Sequence, residues 1–196
     1  MNYCPYCTTD ITTKANKCIK CGTNLIKPIH LKANKAGDYS ACVGINSGYH
    51  GYESYMEGYH TAAEVLLEKI RSTQVPIDIT IHPLLFLIHQ GLELGLKGLL
   101  KENRVSFKRK GVNAHLLRPL LDQLIPYLGA KLSPGATKRL ANITSELDKL
   151  DYFGMAFRFP EDTNGGIFLR KTQYIDIRQV AKLLTGFDDL QSLFDQ

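Results

Sequence analysis

The sequence has no long uninterrupted run of apolar residues. The longest apolar stretch, residues 84–100, contains four polar or charged side chains, His89, Gln90, Glu93 and Lys97. It is therefore a poor candidate for a membrane span. The first residues, Met-Asn-Tyr-Cys, also lack the basic and then apolar pattern of a secretory signal. We therefore expect a cytoplasmic protein with no membrane partner.

The charge of the chain is modest and unevenly distributed. With 196 residues, of which 44% are hydrophobic and 22% are charged, the chain can form a packed core, and wholesale disorder is excluded. The net charge is +5. Residues 1–35 account for all of it, because they contain six lysines and only Asp10 as an acid. This excess indicates contact with nucleic acid or with an acidic surface, or simply keeps a small module soluble.

Cysteine is scarce except near the N-terminus, where four of the five cysteines lie within the first 21 residues. They form two C-x2-C pairs, Cys4 with Cys7 and Cys18 with Cys21. In a reducing compartment this spacing is typical of four thiolate ligands around Zn²⁺. The alternative, two redox dithiols, favours a βαβ context that the sequence lacks. We predict a zinc ribbon over residues 1–27, with a structural zinc whose binding drives folding.

The pattern in the rest of the chain predicts a linker followed by helices. Residues 28–50 are rich in Lys, Gly, Asn and Ser and have no period. Apolar residues then recur at three- and four-residue steps, which predicts helices over 52–71, 83–102, 114–128 and 134–150 and a last helix after Asp176. A short extended segment over 77–81 and a loop with a short hairpin over 157–169 separate some of them. The predicted fold class is all-α, with a bundle of about five helices over residues 51–196.

The second predicted helix has two unusual faces. Gly91, Gly95 and Gly98 share one face, which predicts the close approach of another helix, in this chain or in a second copy. On the opposite face His89, Glu93 and Lys97 follow at four-residue steps. This row is either a solvated stripe with a favourable Glu-to-Lys pair or a set of titratable groups that face a site.

Four segments together resemble one known family. GYHTAAEVLLE, LLFLIHQGLELGLKGLL, NAHLLRPLLDQL and LDYFGMAFRFPED are similar to HEPN domains, helical modules of bacterial defence and toxin systems. The resemblance covers about residues 50–195. Many HEPN domains are metal-independent endoribonucleases that work as dimers through an Arg-x4-6-His motif. A zinc module joined to such a domain resembles the ring-activated zinc-finger ribonucleases of bacterial antiphage immunity.

The resemblance implies an abortive-infection ribonuclease that acts on RNA as a homo-oligomer, either a dimer or a larger ring. Its zinc ribbon would bind a phage protein as the trigger or contact nucleic acid. RNA carries its own nucleophile, the 2′-hydroxyl, and cleavage would leave a 2′,3′-cyclic phosphate and a 5′-hydroxyl. His115 would act as base or acid, Glu93 would orient His115, and Lys97 would add positive charge.

The phosphate-binding arginine is left open by the sequence. Arg109 precedes His115 by the spacing of the family motif. Gly111, however, should break any helix that joins the two residues. Arg158, or Arg104 in the basic turn, is the alternative.

The alternative hypothesis is that the helical bundle is not catalytic. The bundle would then be a nucleic-acid-binding or assembly module, His115 a capping or core residue, and Arg158 a structural clamp on its loop. A transcription factor is disfavoured, because no base-reading element such as a helix-turn-helix is evident.

Overall fold

The computed structural model describes residues 4, 7–10, 17–23, 51–107, 115–129, 131–152, 154–170 and 174–195. The chain divides into two compact units, residues 1–42 and 43–196. The predicted linker, residues 28–50, and the candidate Arg109 lie outside the described residues. The first unit contains the paired cysteines, and the second unit contains the helices.

The second unit is all-α in its described part, as predicted. Its six helices are α1 (Tyr52–Arg71), α2 (Ile77–Glu102), α3 (Leu117–Leu128), α4 (Pro134–Leu150), α5 (Ile177–Leu183) and α6 (Thr185–Phe194). Helix α2 lies at the centre of this unit, where α1, α3 and α6 all pack against it. The predicted hairpin is reduced to one antiparallel bridge between Glu161 and Ile167.

Helix α2 begins six residues earlier than the sequence predicted. The segment 77–81 is helical and not extended, and Pro83 lies inside the helix. The start is fixed at Pro76, whose carbonyl accepts hydrogen bonds from the backbone N–H and the hydroxyl of Thr80. Proline at position 83 removes the N–H that would bond to the carbonyl of Ile79. Ile79 is 72% exposed, so water can replace that bond.

Helix α3 begins later than predicted, at Leu117, and Asn113 is therefore not its N-cap. The cap comes from another helix. The N–H groups of Leu117 and Arg118 each donate to the carboxylate of Asp148 on α4, at 2.8 Å. These are two of the N–H groups that have no partner within the helix. Because this cap is 31 residues away in sequence, local patterning could not reveal it.

The remaining helix boundaries agree more closely with the sequence. Ser133 caps α4, and its hydroxyl accepts from the N–H of Ala136, with Pro134 in the first turn. Asp176 caps α5 in the same way, accepting from the N–H of Arg178. The predicted last helix is nevertheless two helices, separated at Leu184. Gly186, just after this break, lies close to Leu92 of α2 and Ile143 of α4.

The glycine face of α2 packs against helices of its own chain. A methyl group added to Gly91 would overlap the Phe187 ring, and one added to Gly98 would lie 2.7 Å from Cβ of Tyr52. At Gly95 the nearest groups belong to α1 and α6, namely Met56 and Leu190. The glycines thus let α1 and α6 approach α2 closely. They therefore give no support to self-association through this face.

Helix α2 is also the one described helix that is long and apolar enough to cross a bilayer. Half of its most apolar 18-residue window is buried inside the unit. Its leucines form the core together with those of α3 and α4, among them Leu92, Leu96, Leu120 and Leu140. This is the pattern of a central core helix.

Candidate functional sites

The first unit brings the four N-terminal cysteines together. The ligand atoms of Cys4, Cys7, Cys18 and Cys21 all lie within 4.8 Å of one another. Sγ of Cys4 is 3.7 Å from Sγ of Cys21, and Sγ of Cys7 is 3.5 Å from Sγ of Cys18. Four sulfurs at about 2.3 Å from one tetrahedral metal would be about 3.8 Å apart. The cluster therefore has the dimensions of a four-thiolate metal site.

The two cysteine pairs repeat one local structure. In each pair the first cysteine accepts a backbone hydrogen bond from the residue four positions on, from Thr8 to Cys4 and from Gly22 to Cys18. These two donor residues both have positive φ, +55° and +70°. Glycine adopts this left-handed conformation readily, which suits the turn at Gly22. Two such turns present four sulfurs to one point, which matches metal ligation better than two separate dithiols.

A threonine follows the second cysteine of each pair by two positions and contacts its sulfur. Oγ1 of Thr9 lies 3.4 Å from Sγ of Cys7, and Oγ1 of Thr23 lies 3.1 Å from Sγ of Cys21. The Thr9 side chain, with its backbone, lowers the pKa of Cys7 to about 6. The Thr23 side chain likewise lowers the pKa of Cys21. Both contacts favour the thiolate, which is the form that binds metal.

The second unit contains a buried carboxylate that is shared by two basic side chains. Glu93, on α2, is 1% exposed. Lys97, one turn further on, donates to Oε1 of Glu93. Nδ1 of His115 lies 3.2 Å from Oε1 and 3.4 Å from Oε2 of the same carboxylate. The structure therefore brings together three of the six side chains that the sequence singled out as catalytic candidates.

The contact with Glu93 defines the hydrogen placement on His115. A carboxylate accepts hydrogen bonds, so Nδ1 of His115 carries the hydrogen and donates it. In the neutral imidazole Nε2 is then the unprotonated nitrogen, which can take a proton from another molecule. The His115 side chain is 42% exposed, so this nitrogen can be reached from solvent. The sequence predicted that His115 lies in the first turn of α3. It instead precedes α3 by two residues.

The loop after α4 holds His115 from the other side. Gly154 has φ +66°, and a methyl group placed on it would overlap Cβ of His115 and lie 3.0 Å from its Cγ. Asp151, which is 2% exposed, fixes this loop. Its Oδ1 accepts hydrogen bonds from the N–H groups of Met155 at 2.7 Å and Ala156 at 2.9 Å.

The same loop carries the candidate Arg158. Its guanidinium carbon lies 5.7 Å from the ring centroid of Phe86 on α2 and 5.3 Å from that of Phe159. Both values are within the range of cation–π contacts. The side chain is exposed. The Arg158 guanidinium thus packs against two aromatic rings. One of them, Phe86, lies about two helical turns before Glu93 on α2.

His89 lies on the same face of α2, between Phe86 and Glu93. It is 4% exposed, and its ring meets that of Phe157 edge to face at 6.5 Å. Nε2 of His89 is buried without a hydrogen-bond partner among the described residues. Burial lowers the pKa of His89, although Glu93, Asp151 and Asp148 oppose this effect. In this row on α2, His89 and Glu93 are buried and Lys97 is partly buried, so the row is not a solvated stripe.

Sequence reasoning missed three residues that shape this site. Asp148 caps α3, Asp151 fixes the loop after α4, and Gly154 contacts His115. The one local signal was Asp151 at the end of a helix with a glycine three residues later. The contacts themselves join distant segments. The other candidate arginine, Arg104, has φ +57° just after the end of α2.

The chain matches no family model, no curated protein and no solved structure. The resemblance to HEPN domains therefore rests on the sequence segments alone.

Proposed function

We propose that the second unit is an endoribonuclease in which His115 is the general base and Glu93 is its orienting carboxylate. The observation that carries this proposal is the contact between Nδ1 of His115 and the buried carboxylate of Glu93. The acid binds Nδ1 and so orients the imidazole, and Nε2 is left to act as the base. This is the arrangement used to activate a hydroxyl group. A merely structural histidine would not need its second nitrogen left open to solvent.

RNA supplies the hydroxyl that this arrangement can activate. Nε2 of His115 takes the proton of the 2′-hydroxyl, a bond forms between O2′ and phosphorus, and the bond between phosphorus and O5′ breaks. The O5′ atom takes a proton from solvent. The products are a 2′,3′-cyclic phosphate and a 5′-hydroxyl, and no water is consumed in the cleavage step.

The charges around His115 suit an anionic substrate. Lys97 neutralises the carboxylate of Glu93, so the pair adds no net negative charge to the site. Arg158 supplies an exposed guanidinium, which binds phosphate oxygens through two parallel hydrogen bonds. Between the candidate arginines, we favour Arg158 because its loop contacts His115 through Gly154.

For the first unit we propose a structural zinc ion bound by the four cysteines. Zinc fits the donor set, since four thiolates at tetrahedral spacing suit it and leave no position for water. Together with the sequence resemblance, this module suggests a defence ribonuclease that is triggered through its zinc ribbon and works as a homo-oligomer.

The decisive experiment is RNA cleavage by the purified full chain and by His115→Ala. We expect wild type to cut single-stranded RNA in the presence of EDTA, and to leave DNA of the same sequence intact because it lacks the 2′-hydroxyl. His115→Ala should lose about 100- to 10,000-fold in rate while keeping its helical content. A phage trigger is to be supplied by co-expression if the chain alone is inactive. Equal RNA cleavage by wild type and His115→Ala would show that His115 is not the base. No cleavage by either protein with the trigger present would favour the non-catalytic binding module.

A further inference from the structure

The loop that contacts His115 also forms one wall of a separate cleft. This cleft has a volume of about 430 Å³. It is lined by residues 156–160, by residues 167–169 and by His82 of α2, and the N–H of Phe168 donates to the carbonyl of Pro160 between the first two segments. The volume lies within the range of about 300–1,000 Å³ that is typical of sites for small ligands.

The two phenylalanines of this wall have different environments. Phe157 is 5% exposed and packs towards His89. Phe159, two residues later, is 44% exposed and lines the cleft. Burial of an aromatic ring is normally favourable, so a partly exposed ring in a cleft is a surface available for stacking. Ile167, which is 61% exposed and also lines the cleft, adds a second apolar surface.

Arg158 gives the cleft its cationic group. Its guanidinium lies over the rings of both Phe86 and Phe159, so that its position is supported on two sides. Phe159 is partly exposed although Arg158 lies 5.3 Å from its ring centroid, and an exposed ring surface next to an exposed guanidinium is the combination that binds unpaired nucleotides. Acidic residues nearby, Glu161 and Asp162, lie on the turn. The Asp162 carboxylate is occupied by the N–H groups of Asn164 and Gly166.

The cleft and His115 are joined by a short, fixed piece of chain. Gly154 contacts His115, Asp151 holds the N–H groups of Met155 and Ala156, and the cleft wall begins at Ala156. We therefore expect an RNA strand that is bound in the cleft to extend towards the imidazole of His115.

A larger groove on α1, about 650 Å³ in volume, does not share these features. It is lined by Gly58, Ala62, Val65 and other residues that include Lys69, but no aromatic ring and no arginine. Nothing in the described residues indicates what covers it. The smaller cleft is therefore the better-supported ligand site.

We propose that this cleft binds an unpaired nucleobase of the RNA substrate, stacked on Phe159, with a neighbouring phosphate on Arg158. The inference rests on the proposed ribonuclease function and adds to it a substrate class. RNA should be bound as a single strand, because a base within a duplex cannot enter the cleft. Stacking on a phenyl ring is tolerant of base identity, so the cleft should confer strand selectivity with little sequence selectivity.

The test uses binding rather than cleavage, so that it is independent of catalysis. The probe is a short mixed-sequence 2′-O-methyl oligoribonucleotide, which has no free 2′-hydroxyl and cannot be cut, bound to the full chain and followed by fluorescence anisotropy. Phe159→Ala should weaken binding by about 5-fold to about 100-fold. Arg158→Ala should weaken it and reduce the salt dependence by about one ion. Tyr55→Ala, an exposed aromatic on α1, is the matched control and should bind as wild type does.

A second variant keeps the test valid if Phe159→Ala folds poorly. The sequence contains no tryptophan. Phe159→Trp therefore introduces a single indole fluorophore, which a stacked base should quench, and the variant should bind at least as tightly as wild type. Binding of the probe without quenching, equal affinity for single-stranded and duplex probes, or wild-type affinity of Phe159→Ala would each overturn the assignment of the cleft.

The two proposals fail in different ways. If wild type cuts RNA but Phe159→Ala binds the probe normally, the ribonuclease function stands and the cleft is wrong. If Phe159→Trp is quenched but no RNA is cut, the cleft binds nucleotides and the catalytic role of His115 is wrong. If a protein partner and not RNA occupies the cleft, the probe neither binds nor quenches, and the cleft assignment fails.

Discussion

Nδ1 of His115 lies 3.2 Å from Oε1 of Glu93, although the two residues are 22 positions apart and only one of them lies on a helix. The carboxylate is buried and already accepts a hydrogen bond from Lys97. A buried carboxylate is costly unless it is paired, and Glu93 is paired with both Lys97 and His115. Glu93 thereby orients an imidazole that is itself accessible.

Glu93→Gln should separate orientation from packing. The amide has nearly the same shape, but it binds Nδ1–H of His115 and the Lys97 ammonium less strongly than a carboxylate does. We expect RNA cleavage to fall by at least about 10-fold, which is less than the loss of about 100- to 10,000-fold expected for removing the base outright. Single-turnover cleavage measures this. Glu146→Gln, in the exposed pair with Lys149, is the control and should cleave normally. Normal cleavage by Glu93→Gln would mean that Glu93 does not orient the base.

Gly154→Ala should disturb His115 through direct contact. A side chain at this positive φ costs roughly 1–2 kcal/mol, and its methyl group would also overlap Cβ of His115. Gly165→Ala is the matched control, because Gly165 has φ +78° and nothing within 4 Å of the added methyl. We expect both variants to lose stability in urea unfolding, with the larger loss at Gly154, and only Gly154→Ala to lose cleavage activity. Equal behaviour of the two variants would show that the contact with His115 is unimportant.

The sequence could predict the features that depend on residues close together in the chain. The bounds of α1 and the Ser133 cap of α4 follow from periodicity and capping, and the cysteine spacing predicted the cluster. The start of α2 was misread because proline is taken as a first-turn residue, whereas Pro83 is accommodated inside the helix. The start of α3 depends on Asp148 from another helix, and the contact of Gly154 with His115 joins two loops. Such long-range contacts have no signal in a single sequence.

The glycine face of α2 offers a test of packing. Gly95→Ala would place a methyl group 2.9 Å from Cδ1 of Leu190 and closer still to Met56. Overpacking of this kind costs about 1–3 kcal/mol. Gly58→Ala, on α1, has nothing within 4 Å and should instead stabilise by up to about 1 kcal/mol, since alanine is the better helix former. Chemical denaturation of both variants measures the difference. Stabilisation by Gly95→Ala would contradict the close approach of α1 and α6.

Buried His89 predicts a loss of stability in mild acid. Burial lowers its pKa from the ordinary 6.5 in the folded chain, so the unfolded chain binds the proton more readily. Stability from neutral His89 is therefore complete above about pH 6.5 and falls as the pH drops below it, by up to about 1.4 kcal/mol per pH unit. Three carboxylates face the ring, Glu93, Asp148 and Asp151, together with the imidazole of His115, and the carboxylates reduce the shift without reversing it.

Urea unfolding at a series of pH values between 7 and 5 tests this expectation. His89→Leu should show a flatter dependence of stability on pH than wild type does. The exposed His82 provides the control, because His82→Leu removes a histidine that is not buried. If His89→Leu and wild type lose stability in parallel over this range, then another group is responsible for the acid sensitivity.

Removal of one cysteine from the cluster should release the metal. We expect the purified chain to bind one zinc ion and Cys18→Ser to bind none tightly, because three thiolates and a hydroxyl hold zinc far less well than four thiolates do. Zinc content by mass spectrometry under native conditions measures this. Cys42→Ser is the control, since Cys42 has no spaced partner in the sequence. Helical content should be unchanged in both variants, because the helices belong to the other compact unit. If Cys18→Ser retains a full equivalent of zinc, Cys18 is not a required ligand and the four-cysteine site is wrong. If wild type holds no zinc and instead cycles between thiols and disulfides, the four cysteines form two redox dithiols and not a metal site.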